Sequence, residues 1–318
     1  MPLLEFDIIR KYFSDITTKD NSANIHVGIG DDAAIVSIPE NKKLVVCTDT
    51  LNEGVHFPSH TSAYDIAYKA LAVNLSDLAA MGAMPKWFTL NLSLPEVNKD
   101  WLADFSKGLQ QLSRQYQLNL IGGDTTRGAL SISITLAGHV DNSQALLRSG
   151  AKVGDKVYLS GCTGEAAYGL ACLSASAVVS QTEQYFVSRL NQPTARVNLG
   201  LSLLGVANAC IDISDGLVAD VTHIAESSQC GIELDLNAIP LPAIADKEQA
   251  LECALSGGDD YELAFTVALS MQAGLKQLIR QTDLPITCIG EVVATPGVQL
   301  LDNGRPVDLP RTGYEHFK

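Results

Sequence analysis

Basic residues are scarce in this chain: its 318 residues hold 22 Lys and Arg against 36 Asp and Glu, a formal charge of −14 with histidines neutral. A surface of that sign repels a phosphodiester backbone and gains nothing from counterion release, so nucleic acid is excluded as a partner, and anionic membrane surfaces with it. Apolar runs long enough to span a bilayer are missing. The opening Met1-Pro2-Leu3-Leu4-Glu5-Phe6-Asp7 has no basic start followed by an apolar stretch, so no secretory signal is expected. The seven cysteines are scattered, odd in number and never spaced C-x-x-C, which argues against structural zinc; most stand beside Val, Ile, Ala or Leu and read as small buried side chains in a reducing cytoplasm. Also absent are G-x-x-x-x-G-K-[ST], the protein-kinase motif set, G-x-S-x-G and H-E-x-x-H. Their absence removes the common phosphate loops, the nucleophile elbow and the zinc-protease pair.

What the chain does have is apolar mass, 46% of residues against 18% charged, enough to bury a large core in about two domains. Leu4, Ile8, Ile9, Tyr12 and Phe13 recur at helical spacing. Residues 24–38 read as strand, Gly-Asp-Asp loop and strand, and 44–46 as a strand leading into Cys47-Thr48-Asp49-Thr50. Helices are expected over 62–81 and 98–116, the second capped by Asn98, with a strand at 87–94 between them. A strand at 118–121 stops at Gly122-Gly123-Asp124-Thr125-Thr126-Arg127-Gly128, and 131–140 alternates as a strand does. The polar stretch 141–156 marks a domain boundary, giving domains 1–145 and 146–318. Beyond it come a strand at 157–160, helices at 164–173 and 193–206, the latter with Pro193 in its first turn, and a strand at 209–213 ending in Ser214-Asp215-Gly216. Strands at 261–267 and 287–293 flank a helix at 270–280, and Asp302-Asn303-Gly304 reads as a hairpin turn. The class is α/β with mixed sheets in a two-domain architecture.

Six short acidic segments share a grammar: Gly30-Asp31-Asp32, Thr48-Asp49-Thr50, Ser76-Asp77, Gly123-Asp124-Thr125, Asp212-Ile213-Ser214-Asp215 and Gly258-Asp259-Asp260. Any one such Asp is read first as a helix N-cap or an Asx-turn. Most of them stand where an apolar strand ends, and strand ends in α/β folds converge, so the set together would repel itself unless cations neutralise it. Hard oxygen donors select Mg²⁺, Mn²⁺ or Ca²⁺, and several such ions at one site are expected where a polyphosphate is handled. Arg127 and Arg148 are either phosphate contacts or surface arginines, and His56 is either a substrate contact or a plain loop histidine. The terminal Gly313-Tyr314-Glu315-His316-Phe317 either covers a ring-shaped ligand or pins the C-terminus to the core.

Taken in order, GIGDDAA (28–34), TDTL (48–51), ALAVNLSDLAAMGA (70–83), LIGGDTTRG (120–128), Arg148-Ser149-Gly150-Ala151, DISDGL (212–217), SGGDDYEL (256–263) and GYEHF resemble the thiamine-monophosphate kinases. That family belongs to the superfamily of aminoimidazole ribonucleotide and selenophosphate synthetases. The similarity runs over nearly the whole chain. It implies ATP-dependent phosphorylation of thiamine monophosphate to thiamine diphosphate by direct transfer without a phosphoenzyme, in a dimer paired through its N-terminal domains. It also implies several Mg²⁺ with ATP between the domains. Carried over residue by residue, metal ligands fall on Asp32, Cys47, Thr48, Asp49, Asp77, Asp124, Asp212 and Asp215. ATP contacts fall on Gly123, Asp124, Arg148 and Ser214, and substrate contacts on His56, Asp259 and Tyr314. Two positions depart from the pattern. Cys47 stands where Ser or Thr is common, and a thiol is a poor Mg²⁺ ligand there unless the backbone carbonyl is the coordinating atom; Asp259 stands where Glu is frequent, one methylene longer. The sister activities, activation of a purine-precursor amide or selenophosphate synthesis, and a non-catalytic Ca²⁺-tied binding module are the competing readings.

Overall fold

The computed structural model describes residues 4–14, 16, 24–142, 144–175 and 180–308. The described chain divides into two units, one of residues 1–78 and 83–143, the other of 79–82 and 144–318. The fold is mixed α/β, as its motifs implied.

In the first unit, α1 (Glu5–Ile8) runs on into a π-helical turn, Ile9–Phe13, closed by the Ser14 N–H donating to the Ile9 carbonyl at 3.0 Å. The antiparallel pair β1 (Ile25–Val27) and β2 (Ile35–Val36) brackets the Gly-Asp-Asp loop. A four-stranded sheet follows from β3 (Lys42–Asn52), β4 (Met84–Leu94), β5 (Asn119–Arg127) and β6 (Ser131–Asp141), in the order β3-β6-β4-β5, with only β4 and β5 parallel. Between its strands lie α2 (Ala63–Ala80) and α3 (Lys99–Tyr116). α3 buries Leu102, Phe105, Leu109 and Leu112 at spacings of three and four, the face an amphipathic helix turns to a core. As expected, Asn98 caps it, accepting from the Asp100 and Trp101 N–H groups at 3.0 and 3.1 Å.

Two expectations fail here for one reason. Thr48-Asp49-Thr50 and Gly122-Gly123-Asp124-Thr125-Thr126-Arg127 do not follow strands; they lie inside β3 and β5. Both are edge strands with a solvated face, and such strands tolerate polar residues that would end a central one. Gly123 makes the close approach possible: its φ is +145°, and a Cβ there would sit 1.9 Å from the Leu90 carbonyl oxygen.

The second unit is built on a seven-stranded mixed sheet. Its strands are β7 (Lys156–Ser160), β8 (Ala209–Asp212), β9 (Gly231–Asp235), β10 (Leu263–Val267), β11 (Ile286–Val293), β12 (Gly297–Asp302) and β13 (Arg305–Val307), in the order β13-β12-β9-β11-β7-β10-β8. Only β9 and β12 run parallel. Helices α4 (Glu165–Ala175), α5 (Gln181–Asn191), α6 (Val197–Ser202), α7 (Leu217–Ser228), α8 (Lys247–Ser256) and α9 (Gln272–Ile279) complete it. Val157, Leu159, Ile211, Leu217, Val221, Ile232 and Ile289 belong to one buried core. The hairpin at 302–304 forms as expected, with Asn303 and Gly304 at φ +50° and +75°. The helix expected over 193–206 shrinks to Val197–Ser202: Pro193 lies ahead of it, and the chain after Ser202 leaves the helix toward Gly205 at φ +73°.

Candidate active site

β3 presents alternate residues to opposite faces of the sheet. Cys47 and Asp49 face α2, where the Cys47 thiol meets the Asn74 carbonyl at 3.4 Å and the Asp49 carboxyl is hydrogen-bonded with that of Asp77. Burial raises the Asp49 pKa above the ordinary carboxylate range, and the Asp77 contact lowers it only in part. Two carboxyls that close must share a proton or a cation. Thr48 points to the other face, its hydroxyl 3.1 Å from both the Ile134 carbonyl and the Thr135 hydroxyl.

Register separates the acids further. Asp49 pairs with Ile134, Ile134 with Leu90 and Leu90 with Gly123, so β3 and β5 stand three strand spacings apart, about 14 Å. Asp124 falls in the row of Asn91, Ser133 and Thr50, the face turned away from α2. Asp49 and Asp124 of one chain therefore cannot grip a single ion, and the expected convergence of all strand-borne acids does not hold within this unit. Asp32 lies exposed in the β1–β2 loop, and the Asp31 carboxylate accepts the adjacent Asp32 N–H at 2.9 Å. Asp32, Gly123 and Asp124 share a cavity of about 720 Å³. His56 is fixed by its ring: Nδ1 accepts the Asn52 N–H at 3.0 Å, which leaves the proton on Nε2, while buried Lys69 donates to the His56 carbonyl at 3.0 Å.

In the second unit, Asp212 ends β8 in a buried position, with Ser214 and Asp215 in the turn before α7. Asp220, one turn into α7, accepts the N–H groups of Ser214, Asp215 and Gly216 on one oxygen at 2.9, 3.1 and 3.2 Å. Its pKa is pushed up to about 8, by burial first and then by the Asp212 charge. This internal carboxylate fills the N–H cradle that would otherwise attract an anion, so the turn holds its shape without one. The Arg148-Ser149-Gly150-Ala151 stretch is tied to the far end of the same helix, since Ser228 Oγ accepts the Gly150 and Ala151 N–H groups at 3.1 Å.

The Gly258-Asp259-Asp260 loop lies directly on this turn. Asp259 and Tyr261 donate their N–H groups to the carbonyls of Ser214 and Ile213 at 2.9 and 2.8 Å, and a Cβ on Gly258 would lie 2.3 Å from the Ser214 oxygen. Asp259 and Tyr261 both take left-handed φ, +67° and +54°, and the Tyr261 hydroxyl donates to Asp259 at 2.9 Å. Asp260 caps α4, accepting from Gly164 and Ala166. Glu262, fully buried, accepts from Ser160 at 2.6 Å, Arg189 at 3.1 Å and Arg196 at 2.7 Å. Asp220, Glu262, Arg189, Arg196 and Lys69 escaped the sequence reading. A charged Glu262 at the head of the apolar run 263–267 was the available signal, since a buried strand carries a charge only when it is paired. Tyr314 lies outside the described residues.

Among the described residues no three His, Cys, Asp or Glu side chains gather tightly enough to hold a cation alone. The donors present are hard oxygens in ones and twos, which suits Mg²⁺, an ion that takes one or two carboxylates and leaves its other positions to phosphate and water.

Comparison with known proteins adds the rest. Residues 30–140 match the model of the AIR synthase related protein N-terminal domain, and 152–303 that of the C-terminal domain. The chain is 43% identical to thiamine-monophosphate kinase of Haemophilus influenzae, over 100% of this chain and 99% of that one. The crystal structure of thiamine-monophosphate kinase from Stenotrophomonas maltophilia is similar with a TM-score of 0.83 at 46% identity, covering 87% of this chain and 91% of that chain. AaThiL complexed with AMPPCP and TMP is similar with a TM-score of 0.78 at 33% identity, covering 91% and 92%.

Proposed function

This chain belongs to the AIR synthase related family, and within it to the thiamine-monophosphate kinases, and from that premise we propose how its residues divide the work. The enzyme uses ATP to phosphorylate thiamine monophosphate, giving thiamine diphosphate and ADP. The observation that carries the residue assignment is the half-buried Asp49 carboxyl bonded with Asp77, a pair that needs a cation once both ionise.

Asp32, Asp49, Asp77, Asp124, Asp212 and Asp215 would hold Mg²⁺, with Thr48 and the Cys47 carbonyl, since the Cys47 thiol is engaged with Asn74. Bound Mg²⁺ supplies neutralisation of phosphate oxygens and of charge that develops during transfer. Gly123, Asp124, Arg148 and Ser214 bind ATP. His56, Asp259 and Tyr314 bind thiamine monophosphate: the ring of His56 is oriented by the Asn52 N–H on Nδ1, and Asp259 is braced by Tyr261. No general base is required, because a phosphate monoester with a second pKa near 6 is already largely dianionic at neutral pH. The obstacle is repulsion between two anions, and the chain meets it by holding them in line among fixed cations. Transfer is direct, with no phosphorylated residue.

We further infer a homodimer paired through the first unit. β3 is an eleven-residue edge strand with Leu44 and Val46 exposed, a surface that soluble proteins ordinarily cover. A cytoplasmic setting suits the buried thiols of Cys172, Cys210 and Cys230. The test is to incubate the purified chain with Mg·ATP and thiamine monophosphate. Equimolar thiamine diphosphate and ADP, abolished by a chelator, supports the assignment. Turnover undiminished by the chelator, or ADP and free phosphate formed whatever the acceptor, rejects it.

A further inference from the structure

The cavity beside Asp124 has two unlike ends. One is formed by Gly30, Asp32, Gly122 and Asp124; the other by α1 and the π-helical turn after it, through Phe6, Ile9 and Phe13. About 720 Å³ exceeds what a triphosphate needs and lies in the usual range for a whole small ligand. Phe13 is spent on the core, 3% exposed and edge-on to Phe105 at 6.4 Å. Phe6 is 73% exposed, an aromatic side chain at the cavity that the core does not use. The backbone here is also unusual: π-helical turns are rare and cluster at functional sites, and this one sets Ile9 and Arg10 on the cavity wall.

We propose that the segment Glu5–Phe13 is the nucleoside wall of the ATP site, with Phe6 and Ile9 packing against the base and ribose while the Gly122–Asp124 end takes the phosphates. This rests on the assignment of Gly123 and Asp124 to ATP made above. The occupant is the nucleoside and not the thiamine rings, because this wall is continuous with the Gly122–Asp124 end of the same cavity, which is assigned to the ATP phosphates. Base stacking on an aromatic face depends on area and not on a hydrogen-bond pattern, so this wall tolerates other purines.

The experiment compares two ligands that differ only in the nucleoside. In Phe6→Ala and Ile9→Ser, KM for Mg·ATP should rise about tenfold, the loss expected for a base contact. The inhibition constant of Mg·tripolyphosphate and KM for thiamine monophosphate should hold. Equal weakening of ATP and tripolyphosphate, a change confined to thiamine monophosphate, or no change in any of them overturns the proposal. Asp124→Asn reports separately on the phosphate end and should weaken ATP and tripolyphosphate alike. If it changes neither, the assignment of Asp124 to ATP fails, whereas a Phe6 effect confined to ATP still supports the wall.

Discussion

Asp31 and Asp260 are the same residue type as their neighbours Asp32 and Asp259, and their hydrogen bonds give them different tasks. Asp31 accepts the adjacent Asp32 N–H and Asp260 caps α4, while Asp259 stays braced beside the Ser214 turn; Asp31 and Asp32 both line the cavity. No spacing in the sequence separates such pairs, because what distinguishes them is which N–H each carboxylate meets. Asp49→Asn and Asp124→Asn should each lower turnover at least ~100-fold, as the loss of one transition-state contact does. The folded state should survive: Asp49→Asn removes a desolvated carboxyl, so its melting temperature should equal or exceed wild type, and wild-type turnover in either folded variant would sink the cation-holding role. Asp260 offers a pH test. Burial raises its pKa well above the ordinary value, so the folded state keeps the proton longer than the unfolded chain, and the carboxyl's contribution to stability falls as pH rises above the unfolded value of about 3.8 toward the folded one. Asn does not titrate. Urea unfolding should therefore show the stability gap between wild type and Asp260→Asn closing as pH rises from 4 to 7; a constant gap contradicts it.

Among the elements, those with a strong period or a plain stop were legible: α2, α3 with its Asn98 cap, β6 and the hairpin of β12 and β13. α5 was missed because Phe186 and Leu190 alone form its buried face, although Ser180 and Glu183 complete a capping box. β3 and β5 were cut short because their polar half looked like loop, and register, which only pairing reveals, then put Asp49 and Asp124 on opposite edges and faces. Arg189 from α5 and Arg196 just ahead of α6 meet on Glu262, directly after the Gly258-Asp259 loop. Glu262→Gln leaves two guanidinium groups short of their partner inside the second unit and should cost about 3–5 kcal/mol in urea unfolding. A loss below about 1 kcal/mol would mean that the loop is held by backbone pairing alone.

At the scale of the whole molecule, the charge of −14 resolves into two populations: a solvated coat, and a set of carboxylates spread through both units that we assign to Mg²⁺. Acidity that disfavours a nucleic-acid backbone would, in the proposed assignment, serve a different polyanion through the Mg²⁺ it holds. The homodimer proposed through the exposed edge of β3 predicts that Val46→Asp gives a monomer in analytical ultracentrifugation at micromolar concentration where the unaltered chain is a dimer; a dimer undisturbed by the charge would move the interface elsewhere. The account's central claim is that the chain only positions and shields, and that the phosphoryl group passes from ATP to thiamine monophosphate without resting on any residue. The stereochemical course at phosphorus tests this most directly. With ATP made chiral at its γ-phosphorus by oxygen isotopes, one in-line displacement predicts inversion in the thiamine diphosphate formed; retention would require a phosphorylated residue and contradict the account.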